Sequence, residues 1–180
     1  MGMPKRVLCL ITDGFEEIET VTPIDLLRRA QVEVRIVSLD GKIVTGRSGI
    51  KLLPDGQLDH QAAEDFDLLF LPGGPGVKAL REDGRAAAIA KEFHGRALKI
   101  AAICAAPLIL HDAGLLDGKR FTSHSSTWDE LPDAEDERVV EDGRIITSRG
   151  AGTALDFGFA LVEHLAGEAA VDEISEAIMA

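Results

Sequence analysis

Short, branched apolar runs alternate along the chain with longer segments of helical period. Arg6–Thr12, set between Pro4 and Asp13-Gly14, has the composition of a buried strand. Helical patterning follows from Glu16 to Ala30. That helix either opens at Thr22-Pro23-Ile24-Asp25, with proline in its first turn, or begins at Glu16 and bends at Pro23. Val32–Leu39 predicts a second strand, and Asp40-Gly41 a turn into a hairpin over Lys42–Leu53. A third buried strand, Asp67–Leu71, runs into Pro72-Gly73-Gly74-Pro75-Gly76, and helical spacing resumes at Val77–Arg81 and Arg85–Phe93. Lys99–Cys104 predicts a strand feeding a helix over Ala105–Ala113, and Arg120–Ser123 a further short strand. The acidic Asp129–Asp142 reads as a solvated excursion ending in a hairpin at Glu141-Asp142-Gly143, with Ile145–Ser148 as the last strand. Thr153-Ala154-Leu155-Asp156 has the form of a capping box before a helix that presents Ala154, Phe157, Leu161 and Leu165 on one face. Val171, Ile174 and Ile178 mark a final amphipathic helix.

Strands that are apolar on both faces and alternate with helices predict an α/β fold with a mainly parallel sheet covered on both sides. The 180 residues contain no internal repeat or low-complexity linker, which predicts one domain over 1–180. In such sheets ligands sit beyond the carboxyl ends of the strands. Three segments are therefore candidate site walls: Asp13–Thr20, Pro72–Gly76 and Cys104–Pro107.

Composition narrows the partners. With 46% apolar and 28% charged residues the chain is an ordinary globule, and with seven Phe, one Trp and no Tyr its core must be mainly Ala, Val, Ile and Leu. A formal net charge of -12, without a basic stripe, argues against nucleic acid and against anionic membrane surfaces. Lys5 and Arg6 precede an apolar run too short for an export signal, and Gly2 lacks the Ser or Thr at position 6 that myristoylation needs. The longest apolar stretch, Ile100–Leu110, is interrupted by Pro107 and falls far short of a bilayer span. A cytoplasmic location is expected.

Cys9 and Cys104 are far apart in sequence, with neither a C-x-x-C spacing nor a neighbouring His, so neither a disulfide framework nor a zinc site is predicted. Cys9, between Leu8 and Leu10 inside a strand, reads as structural. Cys104 ends a strand, and Ala105-Ala106-Pro107 opens the next helix. This is the cysteine version of the strand-to-helix elbow that displays a nucleophile, with small residues that leave amides free and a helix N-terminus that favours an anion. A buried strand-end cysteine acting as a small hydrophobe gives the same pattern.

Gly74-x-Gly76-x-x-Ala79 formally matches a relaxed dinucleotide fingerprint, but it lies outside the first βα unit and holds Pro75 in its middle. It reads better as a tight loop whose amides help an oxyanion site. Glu16, Glu17 and Glu19 crowd the end of the first strand, where burial would raise a carboxyl pKa and solvation would leave it ordinary. His60, His94 and His164 read as surface residues and His111 as a packing residue. His124 ends the short strand Arg120–Ser123, where a cleft residue would stand.

Four stretches together resemble the ThiJ/PfpI superfamily, and within it the parkinsonism-associated deglycase (DJ-type) branch. They are Asp13-Gly14-Phe15-Glu16-Glu17-Ile18-Glu19-Thr20, Leu71-Pro72-Gly73-Gly74, Ala101-Ala102-Ile103-Cys104-Ala105-Ala106-Pro107 and Thr147-Ser148-Arg149-Gly150-Ala151-Gly152-Thr153. The resemblance implies a flavodoxin-like three-layer sandwich, a homodimer and an oxidation-sensitive cysteine. It implies Cys104 as nucleophile, Glu19 as the acid hydrogen-bonded to it and His124 as the nearby histidine. It implies Gly73, Gly74 and Ala105 as the oxyanion group, with Gly73 chiefly shaping the loop. Neither cofactor nor metal is implied. The expected activity is a cofactor-independent glyoxalase acting on methylglyoxal or glyoxal, with deglycase action on glycated adducts. The alternative is a non-enzymatic redox sensor or chaperone. Two departures stand out: Ala106 replaces the branch's Gly, and its Ser-Arg pair is reversed here as Arg47-Ser48. Ala105 stands where the intracellular-protease branch has His, and Ser126 where glutamine amidotransferases have Glu.

Overall fold

The computed structural model describes residues 4–58 and 63–180; the Met1-Gly2-Met3 segment and His60 lie outside them. The chain opens with β1 (Arg6–Ile11), α1 (Glu17–Arg29) and β2 (Glu33–Ser38), followed by the small hairpin β3 (Val44–Thr45) and β4 (Lys51–Leu52) and by β5 (Gly56–Gln57). Then come β6 (Leu68–Leu71), α2 (Val77–Asp83), α3 (Arg85–Gly95), β7 (Lys99–Ile103) and α4 (Pro107–Asp112). The chain ends with the β8 (Val139–Asp142)–β9 (Ile145–Ser148) hairpin and with α5 (Ala154–Ala166) and α6 (Glu168–Ile178). Seven strands form one sheet in the order β5-β2-β1-β6-β7-β9-β8, and only β8 runs antiparallel to its neighbour. The central order is that of a flavodoxin-like sandwich.

Period-two alternation in the strands divides the core into two layers. Leu8, Leu10, Leu69, Leu71, Ile100 and Ala102 face α2, α3 and α4. Val7, Cys9, Ile11, Leu68, Phe70, Ala101 and Ile103 face α1, α5 and α6. Every one of these residues is buried, which is why the strands read as unbroken apolar runs. On the second layer Phe70 and Phe157 meet at 5.8 Å between ring centroids. Gly158 lets α5 lie close on α1: a Cβ there would stand 3.2 Å from the Pro23 backbone.

Of the two openings for the first helix, the structure takes the earlier one. Glu16 is its N-cap, accepting from the Glu19 amide at 2.8 Å, and Pro23 lies inside it. Proline has no N–H for the carbonyl four residues back, which belongs to Glu19.

Four local expectations need correction. Arg120–Ser123 is no strand: β8 already occupies the free edge of β9, and the Thr122 amide donates to the Thr147 hydroxyl at 2.9 Å, leaving a lone bridge to Glu135. Thr153 does not cap α5, because its hydroxyl is engaged by Ser148 at 2.6 Å and by the Gly150 carbonyl at 2.9 Å. The acidic excursion is stitched down: Arg81 pairs with Glu130, Arg120 with Glu135 and Arg149 with Asp136, while Leu131 is buried. His111 is exposed instead of packed. Among the described residues no helix is long and apolar enough to cross a membrane.

Candidate active site

Because β1, β6, β7 and β9 are parallel, the loops that follow them meet at one edge of the sheet, and their backbones are bonded together there. The Glu16 amide donates to the Gly73 carbonyl (3.1 Å) and the Gly76 amide to the Gly14 carbonyl (3.0 Å). The Cys104 amide donates to Ser148 (2.8 Å), and the His124 amide donates to the Cys104 carbonyl (2.9 Å).

At the centre, Cys104 has a φ of +64°, the left-handed region that non-glycine residues enter at a cost on the order of 1–2 kcal/mol. The elbow expected from Lys99–Pro107 is formed. The helix after it, α4, is only six residues long, so its dipole is weaker than the sequence pattern suggested. The amides of Gly74 and Ala105 face the Cys104 sulfur and work to lower its pKa, against the larger effect of burial. Cys104 is partly exposed, whereas Cys9 is fully buried, and desolvation pushes the Cys9 thiol far up into inertness.

The three glutamates have separate places. Glu16 caps α1. Glu17 accepts from the Ser48 amide at 2.8 Å and the Ile50 amide at 3.3 Å, clasping the hairpin loop to the helix. Burial works to raise its pKa, but these amide bonds outweigh it and hold the carboxyl below its ordinary value. The sequence offered no signal for this clasp. Glu19, 1% exposed, turns inward, accepts from the Gly73 amide at 3.1 Å and bonds Cys104.

Burial raises the Glu19 pKa to about 7, with the Cys104 hydrogen bond, the Gly73 amide and the Arg47 charge pulling the other way and the Glu16 charge adding to the rise. Burial, together with the charge and hydrogen bond of Glu19, pushes the Cys104 thiol up to about 12. Those two shifts are linked, because the charge that raises the thiol exists only while Glu19 is ionised. Burial keeps the Glu19 carboxyl protonated up to near neutrality, and once it ionises the thiol donates to it, which is why their bond lowers the Glu19 pKa and raises that of Cys104. Above about pH 7 the pair holds one proton between an oxygen and a sulfur.

Gly73 is not an oxyanion donor, since its amide is taken by Glu19. Its contribution is steric: a Cβ there would stand 2.6 Å from Cys104 Cβ, 2.7 Å from the Ile103 carbonyl and closer still to Glu19 Oε2. Gly74 has φ +100°, and a Cβ on it would press on Gly14 and Glu16 backbone. His124 is tied to Cys104 through its backbone, while its ring turns to Ser126, with Nδ1 at 2.8 Å from the hydroxyl. Arg47 rides on the clasped loop, its amide donating to the Phe15 carbonyl at 2.9 Å. Among the described residues no group of three or more His, Cys, Asp or Glu is disposed to hold a metal.

Fold and site together define a flavodoxin-like α/β protein with a cysteine–carboxylate pair at the carboxyl edge of its sheet. The chain belongs to the DJ-1/PfpI family, whose model matches residues 5–164. It is 36% identical to protein dj-1beta of Drosophila melanogaster, with 98% of each chain covered, and superposes on that protein's crystal structure with a TM-score of 0.93. It is 37% identical to the Parkinson disease protein 7 homolog of Danio rerio, over 91% of this chain and 90% of the relative. YraA of Bacillus subtilis, provisionally named a cysteine protease, is 38% identical over 82% of this chain and 90% of its own.

Proposed function

We propose that the protein is a cofactor-independent glyoxalase that converts methylglyoxal to lactate and glyoxal to glycolate, with Cys104 as nucleophile. The observation that carries this reading is the buried Glu19 bonded to a cysteine in a left-handed elbow that two amides also address. Cys104 gives its proton to the ionised Glu19 and adds as the thiolate to the aldehyde carbon, and the amides of Gly74 and Ala105 hold the oxygen that becomes negative. Glu19 gives its proton to that oxygen, forming a hemithioacetal. Now ionised, Glu19 takes the hydrogen from the former aldehyde carbon and returns it to the neighbouring carbon. The hydroxyl proton passes to the second oxygen, where His124 serves. This isomerisation needs no external oxidant and leaves a thioester, which water hydrolyses to the hydroxy acid and free Cys104. The same addition, made to glycated thiols and amines, gives deglycase activity. A protease reading, suggested by the name of YraA, is less well supported, because Ala105 follows the cysteine.

Cys104→Ser lowers methylglyoxal turnover at least 10²-fold in buffer free of metal and glutathione; full turnover in this variant contradicts the reading. A second reading, a redox sensor, is favoured by the partial exposure of Cys104 beside a carboxyl able to donate to a sulfinate. Mass measurement after stoichiometric peroxide decides between the two: selective gain of two oxygen atoms at Cys104 with negligible aldehyde turnover supports the sensor. A cytoplasmic homodimer acting as one domain completes the proposal. Ile18 and Val21 on α1 and Ile50 on the loop clasped to it by Glu17 are exposed apolar residues suited to contact with a second copy.

A further inference from the structure

We propose that Ser126 is a positioning residue that fixes the His124 ring in its Nε2–H tautomer. His124 precedes a single 3-10 turn, Ser125–Thr127, and its side chain folds back over that turn. Two groups of one residue converge on Nδ1: the Ser126 hydroxyl oxygen at 2.8 Å and the Ser126 amide nitrogen at 3.1 Å. A hydroxyl rotates to donate or accept, so alone it would leave the tautomer open. A backbone amide only donates. Nδ1 must therefore present its lone pair, the proton of the neutral ring stands on Nε2, and the hydroxyl turns to donate as well.

The turn that carries these donors is itself held. Thr127 Oγ1 lies 2.8 Å from both the His124 carbonyl and Ser123 Oγ, and the His124 amide is bonded to the Cys104 carbonyl. The ring edge at Cδ2 lies 3.5 Å from where a Cβ on Gly150 would stand, so Gly150 leaves the ring its space. Position and tautomer are thus set by the backbone of the elbow's own neighbour. What this does to the chemistry rests on the glyoxalase reading: a ring that carries its proton on Nε2 donates to the second substrate oxygen and does not deprotonate Cys104. The base is then Glu19 alone.

The test is a two-bond proton–nitrogen spectrum of the uniformly ¹⁵N-labelled resting protein at pH 8, for wild type, Ser126→Ala and Ser126→Thr, with His124→Ala to assign the signals. The wild type shows the Nε2–H pattern for His124. Ser126→Ala keeps the amide donor and with it the Nε2–H pattern, but without the hydroxyl the ring is held less firmly and kcat for methylglyoxal falls about three- to tenfold at unchanged KM, the worth of one neutral hydrogen bond. Ser126→Thr, which keeps the hydroxyl, restores the rate. An Nδ1–H pattern in the wild type or in Ser126→Ala overturns the proposal, as does Ser126→Ala with kcat unchanged. The spectra need no substrate. If Cys104→Ser retained turnover while the Nε2–H pattern stood, the glyoxalase reading would fall and the tautomer assignment would survive.

Discussion

Glu19→Gln makes the protein more stable at pH 8 and nearly inactive. The carboxyl has a folded-state pKa of about 7 against an ordinary value of 4.5, because it is buried. Between those values the folded protein binds more protons than the unfolded chain, so stability falls as pH rises through that window and stays lowered above it. The full effect of such a shift is on the order of 3 kcal/mol. Glutamine keeps an oxygen for the Gly73 amide and removes the charge. A gain of about 1–3 kcal/mol at pH 8, or roughly 3–10 °C in Tm, is expected, with little or none at pH 5. Activity goes the other way: loss of a positioned acid–base group costs about 10²–10⁴-fold. Thermal melts at the two pH values, run beside a methylglyoxal assay, check both halves. Destabilisation of similar size at both pH values would show that Glu19 is held by packing and hydrogen bonds alone.

The second large effect is at a glycine. Gly73→Ala places a methyl group against Cys104 Cβ, the Ile103 carbonyl and Glu19 Oε2 at once, and the first two lie at the residue that follows β7 and at its last residue. Overpacking of this kind costs about 1–3 kcal/mol. The larger consequence is positional, since the only compliant neighbour is the Glu19 carboxylate. Displacing it breaks its bond to Gly73 and separates it from Cys104, and a misplacement near 1 Å costs about 10²-fold in rate. Gly95→Ala, with open space at its Cβ position, leaves turnover unchanged. Parallel assays with circular dichroism as a check on folding separate loss of geometry from loss of structure. A Gly73→Ala protein of full activity would mean that the contact of Glu19 with the elbow carries no weight.

Much of this architecture is legible from residue pattern. The strands β1, β6 and β7 are visible because burial on both faces leaves no room for polar residues past the charged residue that opens β1 and β7, β2 because its branched Val34, Ile36 and Val37 stand out between polar neighbours, and the elbow because Cys104 falls between a strand and Ala105-Ala106-Pro107. β5 is not visible: it is two residues long and exists through main-chain bonds to β2, with the Asp55 carboxylate accepting from the Ile36 amide at 2.8 Å. The strand expected at Arg120–Ser123 failed for a non-local reason, since the sheet edge it needed was already filled. At the site, residue chemistry alone left Cys104 open between a reactive and a packing role and did not separate Glu16, Glu17 and Glu19. Only the fold shows which carboxylate caps, which clasps a loop and which faces the sulfur. The steric role of Gly73 and the positioning role proposed for Ser126 were hidden for the same reason: one works through the space it leaves, the other through an amide every residue has.

The central claim is that Cys104 and Glu19 hold one proton between them above neutrality, and iodoacetamide alkylation of Cys104 as a function of pH, followed by mass, tests it most directly. Buried Cys9 serves as the unreactive internal reference. The rate is expected to rise to a plateau above about pH 7, with that step absent in Glu19→Gln. A rate that climbs only near the ordinary thiol value of 9.0, and does so equally with and without Glu19, would contradict it.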